Sequence, residues 1–394
     1  MTLLNSKNRR ISPARRAAIA PFIAMDVKRE STLLERAGAK IIHMEVGEPS
    51  APPPRRVREA AIAALAGQPV GYTDALGLTS LRQRISRYYL DTHGVQVDPH
   101  RIVITTGSSG GFIMAFLALF DPGARVAIPN PGYPAYRNIF SALGVETVDI
   151  PVNKENRFAM TAAALRKAHA EQKLDGVLVM SPANPTGVML ADEALRDIAE
   201  FCIAEGVALI SDEIYHGLTY SRPAQTALAF SEQALIVNSF SKYYCMTGWR
   251  IGWLVAPPDF SRPLERLQQS LAISAPTLSQ IAAEAAFDAI DELEAVKAGY
   301  ARNRELLLDG LPGVGLGDLA PADGAFYLYA DTAKFSEDST ALCHDLLHRA
   351  GVAATPGVDF DPTLGHLSLR LSYAGAEADM VEALKRMKGF FARI

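Results

Sequence analysis

Residues 176–215 read GVLVMSPANPTGVMLADEALRDIAEFCIAEGVALISDEIY. Two apolar runs, 176–180 (GVLVM) and 207–211 (VALIS), bracket a segment in which Leu195, Ile198, Ala199 and Cys202 recur at three- and four-residue spacing. A continuous apolar strand, an amphipathic helix (191–204) and a second such strand make a βαβ unit, whose parallel strands are covered on both faces. The same texture extends outward. Strands are predicted at 101–105 (RIVIT), 125–128, 145–150, 234–238 (ALIVN) and 251–255 (IGWLV), with helical periods between them. The expected fold class is therefore α/β with a mostly parallel central sheet. Beyond about residue 258 the stretches lengthen, with 291–309 read as an exposed, charge-laced helix. Short strands at 325–330, 352–354 and 366–371 then alternate with helices at 339–350 and 377–391, which predicts a second, smaller α/β layer.

The 394 residues exceed what one small core needs, and 49% hydrophobic with 21% charged residues excludes a disordered chain. Lys plus Arg number 39 against 43 Asp plus Glu, a net charge of −4, which argues against nucleic acid as a partner. Cys202, Cys245 and Cys343 form no CxxC pair, so neither a disulfide framework nor a thiolate metal site is expected, and a reducing cytoplasm fits best. The apolar run 112–120 (FIMAFLALF) is about half of the ~20 residues that cross a bilayer, so it is read as a buried helix and no membrane is expected. The first 25 residues contain Arg9, Arg10, Arg15 and Arg16 and no acid. They resemble a transit peptide in charge but lack an apolar segment and a small-residue cleavage site, and are read as an arm retained on the protein.

Two motifs compete for the chemistry. Gly107-Ser108-Ser109-Gly110-Gly111 matches GxSxG between a strand and a helix, where a serine hydrolase carries its nucleophile at Ser109, with Asp359 and His366 following in the right order. No upstream HGGG-type loop accompanies it, and a Gly/Ser turn opening a helix is equally an anion site. His344-Asp345-Leu346-Leu347-His348 places two imidazoles at i and i+4, but with no third ligand in sight the expectation is a surface pair and no metal.

The segment 239–253, SFSKYYCMTGWRIGW, follows a predicted buried strand. Its apolar and aromatic surroundings disfavour an ammonium ion, so Lys242 is expected to have a lowered pKa and to act as a nucleophilic amine toward aldehydes. Arg250, with Ser239, stands where it could hold a phosphate. Asn184-Pro185-Thr186-Gly187 and Asp212-Glu213-Ile214-Tyr215 both follow strands, at the sheet end where α/β proteins bind ligands. A carboxylate, an amide and a phenol beside a reactive lysine are what a pyridine cofactor needs.

Taken with Glu45-Val46-Gly47-Glu48-Pro49, Tyr72-Thr73-Asp74-Ala75-Leu76-Gly77, Pro131-Gly132-Tyr133-Pro134, Gly324-Ala325-Phe326-Tyr327 and Leu369-Arg370-Leu371-Ser372-Tyr373-Ala374, these motifs resemble fold type I, pyridoxal-phosphate-dependent class I/II aminotransferases of the aspartate aminotransferase-like branch. The resemblance spans nearly the whole chain. It implies pyridoxal 5'-phosphate as cofactor and Lys242 as the Schiff-base lysine and proton carrier. It implies that Asp212 meets the pyridinium nitrogen, that Asn184 and Tyr215 donate to O3', and that Tyr133 stacks on the ring. Ser108, Ser109, Ser239 and Arg250 would hold the phosphate, together with Tyr72 from the neighbouring subunit of a homodimer. Arg370 would grip the substrate α-carboxylate, near the backbone of Gly47.

It further implies a large domain of residues 46–284, a small domain made from 1–45 with 285–394, and ping-pong transamination between an L-amino acid and a 2-oxo acid, with 2-oxoglutarate as co-substrate. A C–S β-lyase shares the same pocket and stands as the alternative. One departure bears on substrate: Ser109 stands where an aspartate-using branch has a lysine, which places aspartate in doubt. A second is Glu48-Pro49-Ser50-Ala51-Pro52-Pro53-Pro54, where many relatives have an aromatic after Glu-Pro-Asp.

Overall fold

The computed structural model describes residues 12–67 and 69–394, so Arg9 and Arg10 of the basic arm lie outside the described residues. Twelve strands form among them: β1 (Ile42–His43), β2 (Ile102–Thr105), β3 (Arg125–Asn130), β4 (Glu146–Pro151), β5 (Gly176–Met180), β6 (Ala208–Asp212), β7 (Leu235–Ser239), β8 (Gly252–Val255), β9 (Tyr327–Asp331), β10 (Val352–Ala353), β11 (Thr355–Pro356) and β12 (Ser368–Ser372). Seven make a sheet in the order β2-β8-β7-β6-β5-β3-β4. Pairings are parallel from β7 through β6, β5 and β3 to β4, while β8 runs antiparallel to both β7 and β2. The central strands are apolar except at their C-terminal ends because both faces are covered, and β5 and β7 are buried along their whole length. The edge strand β4 departs from the expectation of a sheet buried on both faces. Only one of its six residues, Ile150, is buried, whereas the other edge strand, β2, is buried along its whole length.

The antiparallel turn of β8 positions the chemistry. Ser239 at the end of β7 pairs with Gly252 at the start of β8, so residues 240–251 leave and re-enter the sheet at one edge. That edge is also where β6 ends at Asp212 and β5 gives way to the segment carrying Asn184.

The helix containing FIMAFLALF starts earlier than its apolar run, at Gly107, and ends at Leu119. It is not buried all round, since Ile113 and Leu117 are each 40% exposed on its outer side. The long helix Ile290–Gly310, read as exposed, instead turns Leu293, Tyr300, Asn303 and Leu307 inward, while its charged residues lie on the other side. A smaller antiparallel sheet, β11-β12-β9, and the parallel pair β1-β10 complete the strands. Through β1 the N-terminal chain joins the later residues, as Ile42 pairs with Val352 and His43 with Ala353. The predicted helix 339–350 begins as an α-helix, Ser339–Asp345, and widens into a π turn over Leu346–Ala350. No helix among the described residues is long and apolar enough to cross a membrane.

Candidate active site

The loop between β7 and β8 is held by what it buries. Phe240 and Met246 are fully buried and Tyr244 nearly so. Cys245 and Arg250 take left-handed backbone angles (φ 55° and 48°), a conformation costing a non-glycine residue about 1–3 kcal/mol and therefore dependent on surrounding packing. This loop sets Lys242 into a cavity of about 210 Å³. Its Nζ donates to the Gly47 carbonyl at 2.6 Å. Burial, then repulsion from Arg370 and Arg250, lowers the Lys242 pKa to about 8, against opposing attraction from Glu48 and Asp212. The direction is the one expected from its apolar surroundings.

Of the residues singled out from the sequence, Gly47, Ser108, Ser109, Tyr133, Asn184, Tyr215, Lys242, Arg250 and Arg370 all line this cavity. Ser108 and Ser109 lie in the first turn of helix Gly107–Leu119, whose free amides favour an anion. Arg250 reaches toward the same place, with Nη1 donating to Thr247 O at 3.0 Å and to Ser241 Oγ at 3.4 Å. Gly107 is required here. Its φ is +67°, and a Cβ would lie 2.4 Å from an Arg250 terminal nitrogen. Gly107→Ala should therefore displace Arg250 and weaken retention of a phosphate-bearing ligand about tenfold or more, read by ultrafiltration and the absorbance of what remains bound. Unchanged retention would show that Arg250 is not part of the anion site.

Three residues lie elsewhere. Asp212, the last residue of β6, is fully buried and does not line the cavity. One carboxylate oxygen accepts the Ile214 amide at 3.1 Å and the other the Tyr136 hydroxyl. Burial raises its pKa to about 7, against those hydrogen bonds and the nearby charge of Lys242. Ser239 spends its hydroxyl on Ser241 Oγ (2.9 Å) and Ile251 O (3.3 Å), and Ser241 lines the cavity instead. Tyr72 is 81% exposed, beside residues 272–277 and outside the cavity.

Arg370 sits on the central strand of the β11-β12-β9 sheet and is 2% exposed. Nη1 donates to Asn184 Oδ1 at 2.9 Å, and Nη2 donates to Glu45 O and, at 3.3 Å, to Thr355 Oγ1. Its guanidinium carbon lies 4.5 Å from the Tyr327 ring centroid and 4.7 Å from that of Phe360. Gly47 leaves no room for a side chain, since a Cβ would fall 1.7 Å from Tyr327 Oη. The Tyr327 hydroxyl also bonds that of Tyr215 at 2.6 Å.

Sequence reading left several residues without a role. Tyr136 follows Tyr133 by three residues and meets it edge-on at 5.3 Å, a helical spacing that could have pointed to it. Phe22, Ala24 and Met25, from the segment read only as an arm, line the cavity, and Phe22 packs edge-on against Tyr133 at 5.8 Å. Arg15 and Arg16 are exposed and outside it. The serine hydrolase reading loses its acid, because Asp359 accepts the amides of Ile23 (2.9 Å) and Ala24 (3.2 Å).

Comparison with known proteins places this geometry. The chain is 50% identical over 378 residues to a valine–pyruvate aminotransferase of Mycobacterium tuberculosis, covering 95% of this chain and 97% of that one. It is 32% identical to an aspartate/prephenate aminotransferase of Thermus thermophilus, over 96% and 97% of the two chains. A crystal structure of an aminotransferase from Mycobacterium tuberculosis superposes with a TM-score of 0.95 at 48% identity, covering 98% of this chain and all of the other. Residues 39–387 match the model of the aminotransferase class I and II family, and with Lys242, Arg250 and Arg370 converging on one cavity the chain is a member of that family, a pyridoxal-phosphate-dependent aminotransferase of fold type I.

Proposed function

We propose that this chain moves the amino group of a small apolar L-amino acid, valine foremost, to pyruvate by a ping-pong mechanism. The carrying observation is the make-up of the cavity wall: among the described residues its only cationic side chains are Lys242, Arg250 and Arg370, and Phe22, Ala24, Met25 and Val46 supply apolar surface. With Arg250 given to a phosphate and Lys242 to the chemistry, Arg370 is left for one carboxylate. A second carboxylate, as in aspartate or 2-oxoglutarate, would be desolvated against apolar walls without a partner. That favours pyruvate over the 2-oxoglutarate expected from the resemblance, and the valine–pyruvate relative supports the same choice.

The residues suit pyridoxal phosphate. Asp212 is a buried carboxylate with no cation bonded to it among the described residues, which a protonated ring nitrogen would satisfy. The helix amides at Ser108 and Ser109, Arg250 and the space left by Gly107 make a cradle for the phosphate. When bound, the cofactor supplies an electron-withdrawing ring that accepts the electron pair left as an amino acid loses its α-proton. Lys242 Nζ, its pKa lowered to about 8, takes and returns that proton. Asn184 and Tyr215 would donate to the ring's hydroxyl oxygen, and Tyr136 holds Asp212 in place. Phe22 and Met25 exclude water from the substrate side chain.

We read residues 46–284 as the large domain and 1–45 with 285–394 as the small one, which the β1-β10 pairing supports. The exposure of Tyr72 supports its use by a partner subunit in a homodimer.

The test is absorbance of the purified protein between about 300 and 500 nm. L-Valine should convert the cofactor band and pyruvate restore it, with pyruvate exceeding 2-oxoglutarate in kcat/KM by about 10–100-fold, the worth of one charge-assisted contact. Faster restoration by 2-oxoglutarate would overturn the acceptor assignment, and pyruvate release from cystathionine without an acceptor would favour the lyase.

A further inference from the structure

We propose that His344, His348 and Glu30 form a binding site for one divalent transition-metal ion, which fastens the N-terminal helix to the helix bearing the two histidines. The pair His344 and His348 falls where helix Ser339–Asp345 passes into the π turn Leu346–Ala350. Their rings stack with centroids 4.2 Å apart and planes 29° apart.

The third ligand that sequence spacing did not reveal comes from helix Ile23–Arg36. Glu30 Oε1 lies 2.7 Å from His348 Nε2 and 3.8 Å from His344 Nε2. One ligand atom from each of the three residues lies within 4.8 Å of the others. Ligand atoms on a tetrahedral zinc ion stand about 3.4 Å apart, given metal–ligand bonds of about 2.0–2.1 Å, so side-chain rotation alone would bring them into place. The Glu30–His348 hydrogen bond accounts for two of the three groups. It does not account for His344, which faces the same oxygen.

Two imidazoles and one carboxylate select zinc, nickel, cobalt or copper rather than magnesium or calcium, which prefer all-oxygen sites. Three protein ligands leave a position for water. The side chains of His344, His348 and Glu30 are 57%, 35% and 42% exposed, so an ion can enter from solvent. Asp345 Oδ1, 3.8 Å from His344 Nδ1, adds negative charge behind the ring, although Arg349 pairs with the same carboxylate at 3.1 Å.

The N-terminal helix carries Ala24 and Met25 on the catalytic cavity and is held at its start by Asp359 and further along by the exposed Lys28–Glu48 pair. Glu30 lies about 7.5 Å farther along the axis than Met25. An ion there gives the wall of the cavity a fixed point beyond those contacts.

The experiment uses the full-length holoenzyme, freed of any affinity tag, and titrates Zn²⁺ alone by calorimetry. The expected result is saturable uptake of one ion per chain, weakened tenfold or more in His344→Ala, His348→Ala and Glu30→Gln. His344→Ala is the cleanest variant, since that side chain makes no hydrogen bond among the described residues, and its thermal midpoint without metal should match the wild type. Absent saturable uptake, or uptake undiminished in the histidine variants, would overturn the site. Loss in the histidine variants with none in Glu30→Gln would overturn the tie to the N-terminal helix.

Discussion

Lys242→Ala should lower kcat by about 10⁴-fold or more while leaving a folded protein. The side chain contributes little to stability that alanine would forfeit. Among the described residues it makes one hydrogen bond, to Gly47 O, and stands in repulsion with Arg370 and Arg250. What it supplies is an amine whose pKa has been brought to about 8, so that near neutral pH an appreciable fraction lacks its proton. Lys242→Arg separates that property from charge, because a guanidinium stays protonated at any working pH. Both variants should be inactive, and both should keep the thermal midpoint of the wild type within a few degrees. The measurement is single-turnover loss of the cofactor band with L-valine. A rate within tenfold of wild type for Lys242→Ala would remove Lys242 from the chemistry, and substantial activity in Lys242→Arg would show that charge, not proton transfer, is what the site requires.

The features legible in the sequence are those that depend on neighbours in the chain. β5, β6 and β7 are apolar runs because the sheet is covered on both faces, and their residues alone mark them out. The motifs at their ends then fall at one edge of the sheet, Asn184 and Lys242 in the cavity and Asp212 buried beside it, since strands running parallel bring their C-terminal ends to one edge. Strand starts were less legible where backbone conformation intervenes: the run beginning at residue 325 reads as strand, yet Ala325 has φ of 57°, and β9 begins only at Tyr327. The helix from Gly107 reads as starting at Phe112 because its first residues, Gly and Ser, are weak helix formers whose worth here lies in exposing amides.

Contacts between distant segments left no trace in spacing. Glu30 meets His348 across 318 residues, and β1 and β11, of two residues each, are too short to show a period. Phe22 and Met25 read as part of a basic arm, because only the docking of Ile23 and Ala24 on Asp359 turns them toward the cavity.

Arg370→Lys should raise KM for the amino acid and lower kcat/KM by about 100-fold or more, with retention of the cofactor unchanged. A guanidinium has five N–H donors, and the bonds to Asn184, Glu45 and Thr355 occupy three of them. The two left over include Nε, which is buried without a partner among the described residues and so adds to the demand for an acceptor. A planar fork offers an α-carboxylate two parallel donors, and this one is packed between the rings of Tyr327 and Phe360. Lysine keeps the positive charge but offers a single mobile nitrogen that neither stacks on the two rings nor holds Asn184 and Glu45 together. On the proposed reading Arg250 and the helix amides, not Arg370, hold the cofactor, so its retention should not follow. The two constants are separated by titrating L-valine and pyridoxal phosphate independently. Equal losses in both would mean that Arg370 shapes the whole cavity through Asn184, and the assignment of this residue to the substrate carboxylate would fall.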